Sequence, residues 1–240
     1  MRTPPLRGLA GAGLGFVIVV VIASAAIRLG AETFPPEVIL VLRGAHRTAA
    51  SLEALVILAL LWTAWRSRLV LAATALTLML SVVGVLAGRN PPAGAALVNV
   101  LGGLALAACF AILLKGKAVE AAEAGWRNAV PTPVYFFPLL ALQVLLGAIA
   151  SVVVKDVVSF TVLVHALLGT ALAVHIARAA LHMDRPLLRF GLLLPALVVP
   201  AAGFGAALFG VPPGGALAHA AAVALLVSAA AFAFAGANVA

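Results

Sequence analysis

The chain has 240 residues, 65% of them hydrophobic and only 9% charged, with a mean hydropathy of +1.24 and a formal net charge of +8. Soluble domains carry about 25% charged residues, so this chain lacks the charge to cover a water-facing surface, which excludes a soluble enzyme and a disordered chain. The basic residues stand between apolar runs and form no basic face; they read as membrane-topology signals rather than as a nucleic-acid footprint.

In chain order, the apolar runs predict eight membrane-spanning helices, over about 10–29, 38–63, 69–88, 94–114, 134–154, 158–179, 187–209 and 215–237. Each approaches the roughly 20 residues that a helix needs to cross a bilayer. The first run follows Arg2 and Arg7, as a signal peptide would. It is long, however, and no clear small-residue cleavage site follows it, so it reads as a retained helix. The runs are continuous rather than alternating, which argues against β-barrel strands. Eight spans leave almost nothing for loops or a soluble domain. With the N-terminus inside, Arg2, Arg7, Arg66, Arg68, Lys115, Lys117, Arg127, Arg178, Arg185 and Arg189 fall on the cytoplasmic side. Arg28, Arg43, Arg47, Arg89 and Lys155 fall outside. That excess of basic residues predicts a multi-pass protein of the plasma membrane, in lipid contact, with both termini cytoplasmic. Trp62, Trp65 and Trp126 fit an inner aromatic belt. The single Cys109 lies in an apolar run, so neither a disulfide framework nor a cysteine metal site is expected.

The chain also repeats itself. Gly84 falls on Gly203, Pro91-Pro92 on Pro212-Pro213, Ala96-Leu97-Val98-Asn99 on Ala216-Leu217-Ala218-His219, and His46 on His165, at offsets of 119 to 121 residues. Chance similarity between Ala/Gly/Leu-rich helices is the alternative, but a repeated proline pair and a steady offset at separated sites favour a repeat. The expected fold is therefore all-α and polytopic. Its eight transmembrane helices form two pseudo-symmetric four-helix bundles, residues 1–120 and 121–240.

Histidine inside a bilayer is costly and usually functional. His46, His165 and His219 each lie near the start of an even-numbered span, and so at one depth towards the outer side. His165 and His219 are placed to face each other across the second bundle, as axial ligands of a haem would; two packing histidines are the plainer alternative. Gly169, one turn below His165, would relieve crowding against a macrocycle. In the first bundle, His46 has Asn99 opposite it where the second has His219. That half would hold a haem through His46 alone, with an open position, or hold none. Glu53 lies seven residues after His46 on the same face, about 10 Å deeper; the second bundle has Leu172 there. It reads either as a proton relay or propionate-side partner, or as a neutral acid bonded to a hydroxyl such as Thr63 or Ser81. Arg43 and Arg47 flank His46 and suit haem propionates as well as they suit interfacial snorkelling. His175 falls off the face of His165, and His182 belongs to a cytoplasmic cluster with Arg178, Asp184 and Arg185.

Taken together, His46-Arg47, the run LQVLLGAIAS at 142–151, VHALLG at 164–169 and LAHAAAVALL at 217–226 resemble the haem A synthase family. The resemblance covers most of the chain and extends to the four-plus-four helical plan. It implies oxidation of a ring methyl of haem O to the formyl group of haem A, for cytochrome oxidase assembly. It implies haem b in the C-terminal half on His165 and His219, and haem O or haem A as substrate or product in the N-terminal half at His46. Haem O synthase and cytochrome oxidase assembly factors become the expected partners. The chain departs from the family pattern in three places: Asn99 replaces the span-4 histidine, Arg43 replaces a glutamate ahead of the span-2 histidine, and the cysteine pair of the first outer loop is absent. Glu53 is the available acid, at a different level of the helix. A membrane electron-transfer or haem-carrying protein that keeps only the second haem is the competing reading. A repeat-built transporter is a weaker one, because such proteins gather several midplane polar groups and Glu53 is nearly alone.

Overall fold

Apolar runs of this length become helices because lipid offers the backbone no hydrogen-bond partner, so each run must satisfy its own N–H and C=O groups. A computed structural model describes residues 4–31, 33–88, 91–115, 133–152, 160–183, 186–209 and 213–234. Eight helices lie among them: α1 Pro4–Leu29, α2 Pro36–Ala64, α3 Arg68–Ala87, α4 Ala93–Lys115, α5 Pro133–Val152, α6 Phe160–Leu181, α7 Pro186–Phe209 and α8 Pro213–Phe234. No strand occurs among the described residues. Helix α1 begins six residues ahead of the predicted span, and the other predicted bounds lie within three residues of the observed ones. Of the residues in the predicted charge, tryptophan and proline patterns, Arg2, Arg89, Lys117, Trp126, Arg127, Lys155, Asp184, Arg185 and Pro212 lie outside the described residues.

Local chemistry sets the ends. Five helices open on proline, whose fixed φ suits the first helical turn and whose missing N–H would have had no partner there. Ser67 caps α3, its hydroxyl accepting from the Val70 N–H at 3.5 Å, and Gly88 ends α3 at φ 63°, the left-handed conformation that glycine tolerates best. The Arg189 guanidinium donates to the Met183 carbonyl oxygen just beyond α6, at 2.9 Å from Nε and 2.5 Å from Nη2.

Six helices are long and apolar enough to cross a membrane: α1, α2, α3, α4, α6 and α7. The stretches Pro138–Val152 of α5 and Leu217–Ala233 of α8 are apolar but shorter. Large apolar side chains point outward, among them Trp62 at 90% exposure and Val85 at 81%. An outer surface of that kind belongs in lipid, and the chain is a helical membrane protein.

The chain divides into two compact units, Met1–Gly116 and Lys117–Ala240. In the first, α1 packs against α2 and α4, and α3 packs against α2 and α4. Val17, Ile57, Leu60, Val70 and Phe110 fill the interior. In the second, α5 packs on α6, α6 on α7 and α7 on α8. Its core joins Ile176, Leu192 and Leu226 with small residues such as Ala180, Ala196 and Ala230, which let helix backbones approach closely in a membrane.

Candidate functional site

The second unit brings one polar constellation together from all four of its helices. His165 on α6 and His219 on α8 lie with ring centroids 6.2 Å apart and planes at 73°. Nδ1 of His219 is 2.9 Å from the carbonyl oxygen of Val199 on α7. A carbonyl only accepts, so Nδ1 carries the proton and Nε2 keeps its lone pair. His165 is held from α5. The side-chain amide nitrogen of Gln143 lies 2.8 Å from His165 Nδ1 and 2.9 Å from the His165 carbonyl oxygen. Gln143 is buried, and its Oε1 has no hydrogen-bond partner among the described residues. Neither histidine has a hydrogen-bond partner for Nε2 among the described residues.

Two glycines make this packing possible. A Cβ at Gly147 would stand 2.6 Å from Cε1 of His165, and one at Gly169 would collide with the Gln143 amide. The space at Gly169 is occupied by the Gln143 carboxamide.

Imidazole nitrogens sharing one metal stand about 2.0 Å from it and about 4 Å from each other. The ring centroids, 6.2 Å apart, bring the two imidazoles near enough to share one metal. Among the described residues no three His, Cys, Asp or Glu side chains gather to hold a free metal ion. A pair of histidines nonetheless suits a haem iron, whose remaining ligands belong to the porphyrin.

The first unit has a related arrangement with different chemistry. His46 on α2 places Nδ1 3.0 Å from Ser24 Oγ and 3.4 Å from the Val20 carbonyl oxygen, both on α1. Ser24 precedes His46 by 22 residues, as Gln143 precedes His165, and the two pairs are displaced by the same 119 residues found in the sequence repeat. The same offset puts Arg28 where the second unit has Gly147. The Arg28 Nε is buried without a hydrogen-bond partner among the described residues. Asn99 is half-buried on α4, Arg43 is half-buried and Arg47 exposed on α2. Glu53 is 5% exposed, and its carboxyl accepts from the Thr77 hydroxyl on α3 at 2.8 Å. The expected hydroxyl partners are otherwise engaged: Thr63 bonds the Ala59 carbonyl and Ser81 the Thr77 carbonyl, each within its own helix. His175 and His182 are exposed and stand apart from this constellation.

No protein-family model matches the chain, and no curated protein matches it. The reading of the site therefore rests on these residues. Three of them, Gln143, Ser24 and Thr77, were not singled out from the sequence. The repeat offset carried a usable signal for two, since it superimposes Gln143 on Ser24, each one helix ahead of its histidine.

Proposed function

We propose that this is a haem-binding membrane protein of the haem A synthase type. On this reading its eight helices all cross the plasma membrane, as two four-helix halves, with both termini cytoplasmic. The observation that carries the proposal is the close His165–His219 pair, with both Nδ1 atoms engaged by the protein and neither Nε2 hydrogen-bonded among the described residues. A haem b bound there supplies one-electron transfer. His165 and His219 hold it, and the Val199 carbonyl fixes the ring of His219, as the outer partners of metal-bound histidines do.

In the first half, the Val20 carbonyl and the Ser24 hydroxyl orient His46 with Nδ1 protonated, so that Nε2 faces outward from that contact as an acceptor. His46 would position haem O for oxidation of its ring methyl. Glu53, bonded to Thr77, is the buried group able to hold a proton. Arg43 and Arg47 are the cations available to propionates, and Asn99 offers an amide where the second half has a ligand. Haem O synthase and cytochrome oxidase assembly factors are the partners this reading implies.

Asn99 also favours a second reading, a membrane electron carrier that keeps only the second haem, because an amide is a poor substitute for an imidazole ligand. The two separate on coexpression with a haem O source, followed by chromatography of the extracted haems. Haem A formed by the wild type and not by His46→Ala supports the synthase reading. A single haem b with no haem A from either protein supports the carrier.

A further inference from the structure

We propose that Gln143 is a positioning residue that sets the tautomer of His165 and so gates metal access to it; this rests on the haem reading of the second unit. The geometry is specific. Both protons of the Gln143 amide nitrogen have acceptors, the His165 carbonyl oxygen and His165 Nδ1, while Oε1 is buried without a partner among the described residues. An amide nitrogen only donates, so Nδ1 acts as the acceptor and the ring proton sits on Nε2. In that tautomer Nε2 has no lone pair for a metal. His219 is set the opposite way, because its Nδ1 faces a carbonyl. One histidine of the pair is thus ready to ligate and the other is closed.

Opening His165 requires a proton on Nδ1, and that proton would then face an N–H donor. Rotation of the carboxamide by half a turn removes the conflict: Oε1 comes to Nδ1–H, the arrangement usual behind a metal-bound histidine. The turned amide gives up its bond to the His165 carbonyl, so without a partner on Nε2 the closed arrangement is favoured. The glycine at 169 leaves the carboxamide the room it occupies. The first unit has no such lock. Its matching residue, Ser24, carries a hydroxyl that donates or accepts, and the Val20 carbonyl already selects the open tautomer of His46.

The test uses the full-length protein in detergent, with and without haem b, in wild type, Gln143→Glu and Gln143→Leu. Nitrogen-15 NMR of the histidines reads the tautomers directly. The haem-free wild type should show the proton of His165 on Nε2 and that of His219 on Nδ1, and the haem-bound form should show His165 with its proton on Nδ1. Glutamate accepts only, so Gln143→Glu should carry the proton on Nδ1 even without haem, retain haem b and lower its midpoint potential. Leucine supports neither state and should weaken haem retention about 10- to 100-fold. A proton on Nδ1 of His165 in the haem-free wild type overturns the proposal. So do two variants with the wild-type affinity, potential and low-spin signals; in that case the haem reading itself stands. A wild type that takes up no haem overturns both.

Discussion

Gly147 and Gly203 sit beside the two histidine rings at different distances, and the difference is testable. A methyl group at 147 would stand 2.6 Å from the His165 ring, with no room to be absorbed, whereas one at 203 would stand 3.7 Å from the His219 ring, an ordinary contact. Gly147→Ala should displace His165, destabilise the protein by about 1–3 kcal/mol and weaken haem retention. Gly203→Ala should leave both unchanged. Thermal unfolding in detergent and the haem-to-protein ratio check the pair, and equal behaviour of the two variants would mean that the ring of His165 is not held where the structure puts it. In the first unit, Glu53 depends on a single hydroxyl donor, Thr77. Thr77→Val should cost about 1–3 kcal/mol by stranding a buried carboxyl. Replacing both partners together, Glu53→Leu with Thr77→Val, should recover most of that loss, because removing both ends of a buried hydrogen bond is close to neutral; Leu172 already occupies the equivalent position in the second unit. Unfolding midpoints of the single and double variants decide whether the coupling exists.

Among the helices, the ends depend on a few side chains. Arg189, near the start of α7, reaches back to the Met183 carbonyl oxygen just past α6. A cation at a helix C-terminus adds to the bond a favourable interaction with the helix dipole. Arg189→Ala should therefore lower the unfolding midpoint by an amount equivalent to about 1 kcal/mol, and Arg189→Lys should recover only part of it, since lysine lacks the fork that places two N–H groups on one oxygen. The helices themselves were legible from the sequence because long apolar runs in lipid leave the backbone little choice but a helix. Pairings between helices were not. Glu53, Thr63, Thr77 and Ser81 are all visible as polar positions, but which hydroxyl meets the carboxyl depends on how the helices align, and the structure pairs Glu53 with Thr77. Gln143 was equally visible inside an apolar run. Its partner lies one helix later, and only the folded chain shows the amide wedged between His165 and Gly169.

Across the whole molecule, the offset of 119 residues that relates His46 to His165 in the sequence also relates the side chains that contact them. Ser24 serves His46 and Gln143 serves His165, at one offset. What differs between the units is chemical: Arg28 against Gly147, Asn99 against His219, Glu53 against Leu172. On the proposed reading, the second unit would hold a haem on two ligands and the first would leave one side of a haem accessible. If all eight helices cross the membrane, reporter fusions at residue 1 and at residue 240 should both report the cytoplasm. An extracytoplasmic C-terminus would mean an odd number of crossings and would remove the shared depth of the three histidines.

The most direct measurement is the absorption and electron paramagnetic resonance spectrum of the purified protein, with haem counted per chain, in wild type and in His46→Ala, His165→Ala and His219→Ala. The wild type should contain haem b with a low-spin bis-histidine signature. That signature should vanish in both His165→Ala and His219→Ala and persist in His46→Ala. A wild type without haem, or a spectrum unchanged by both second-unit substitutions, would contradict the assignment of His165 and His219 as a haem-binding pair.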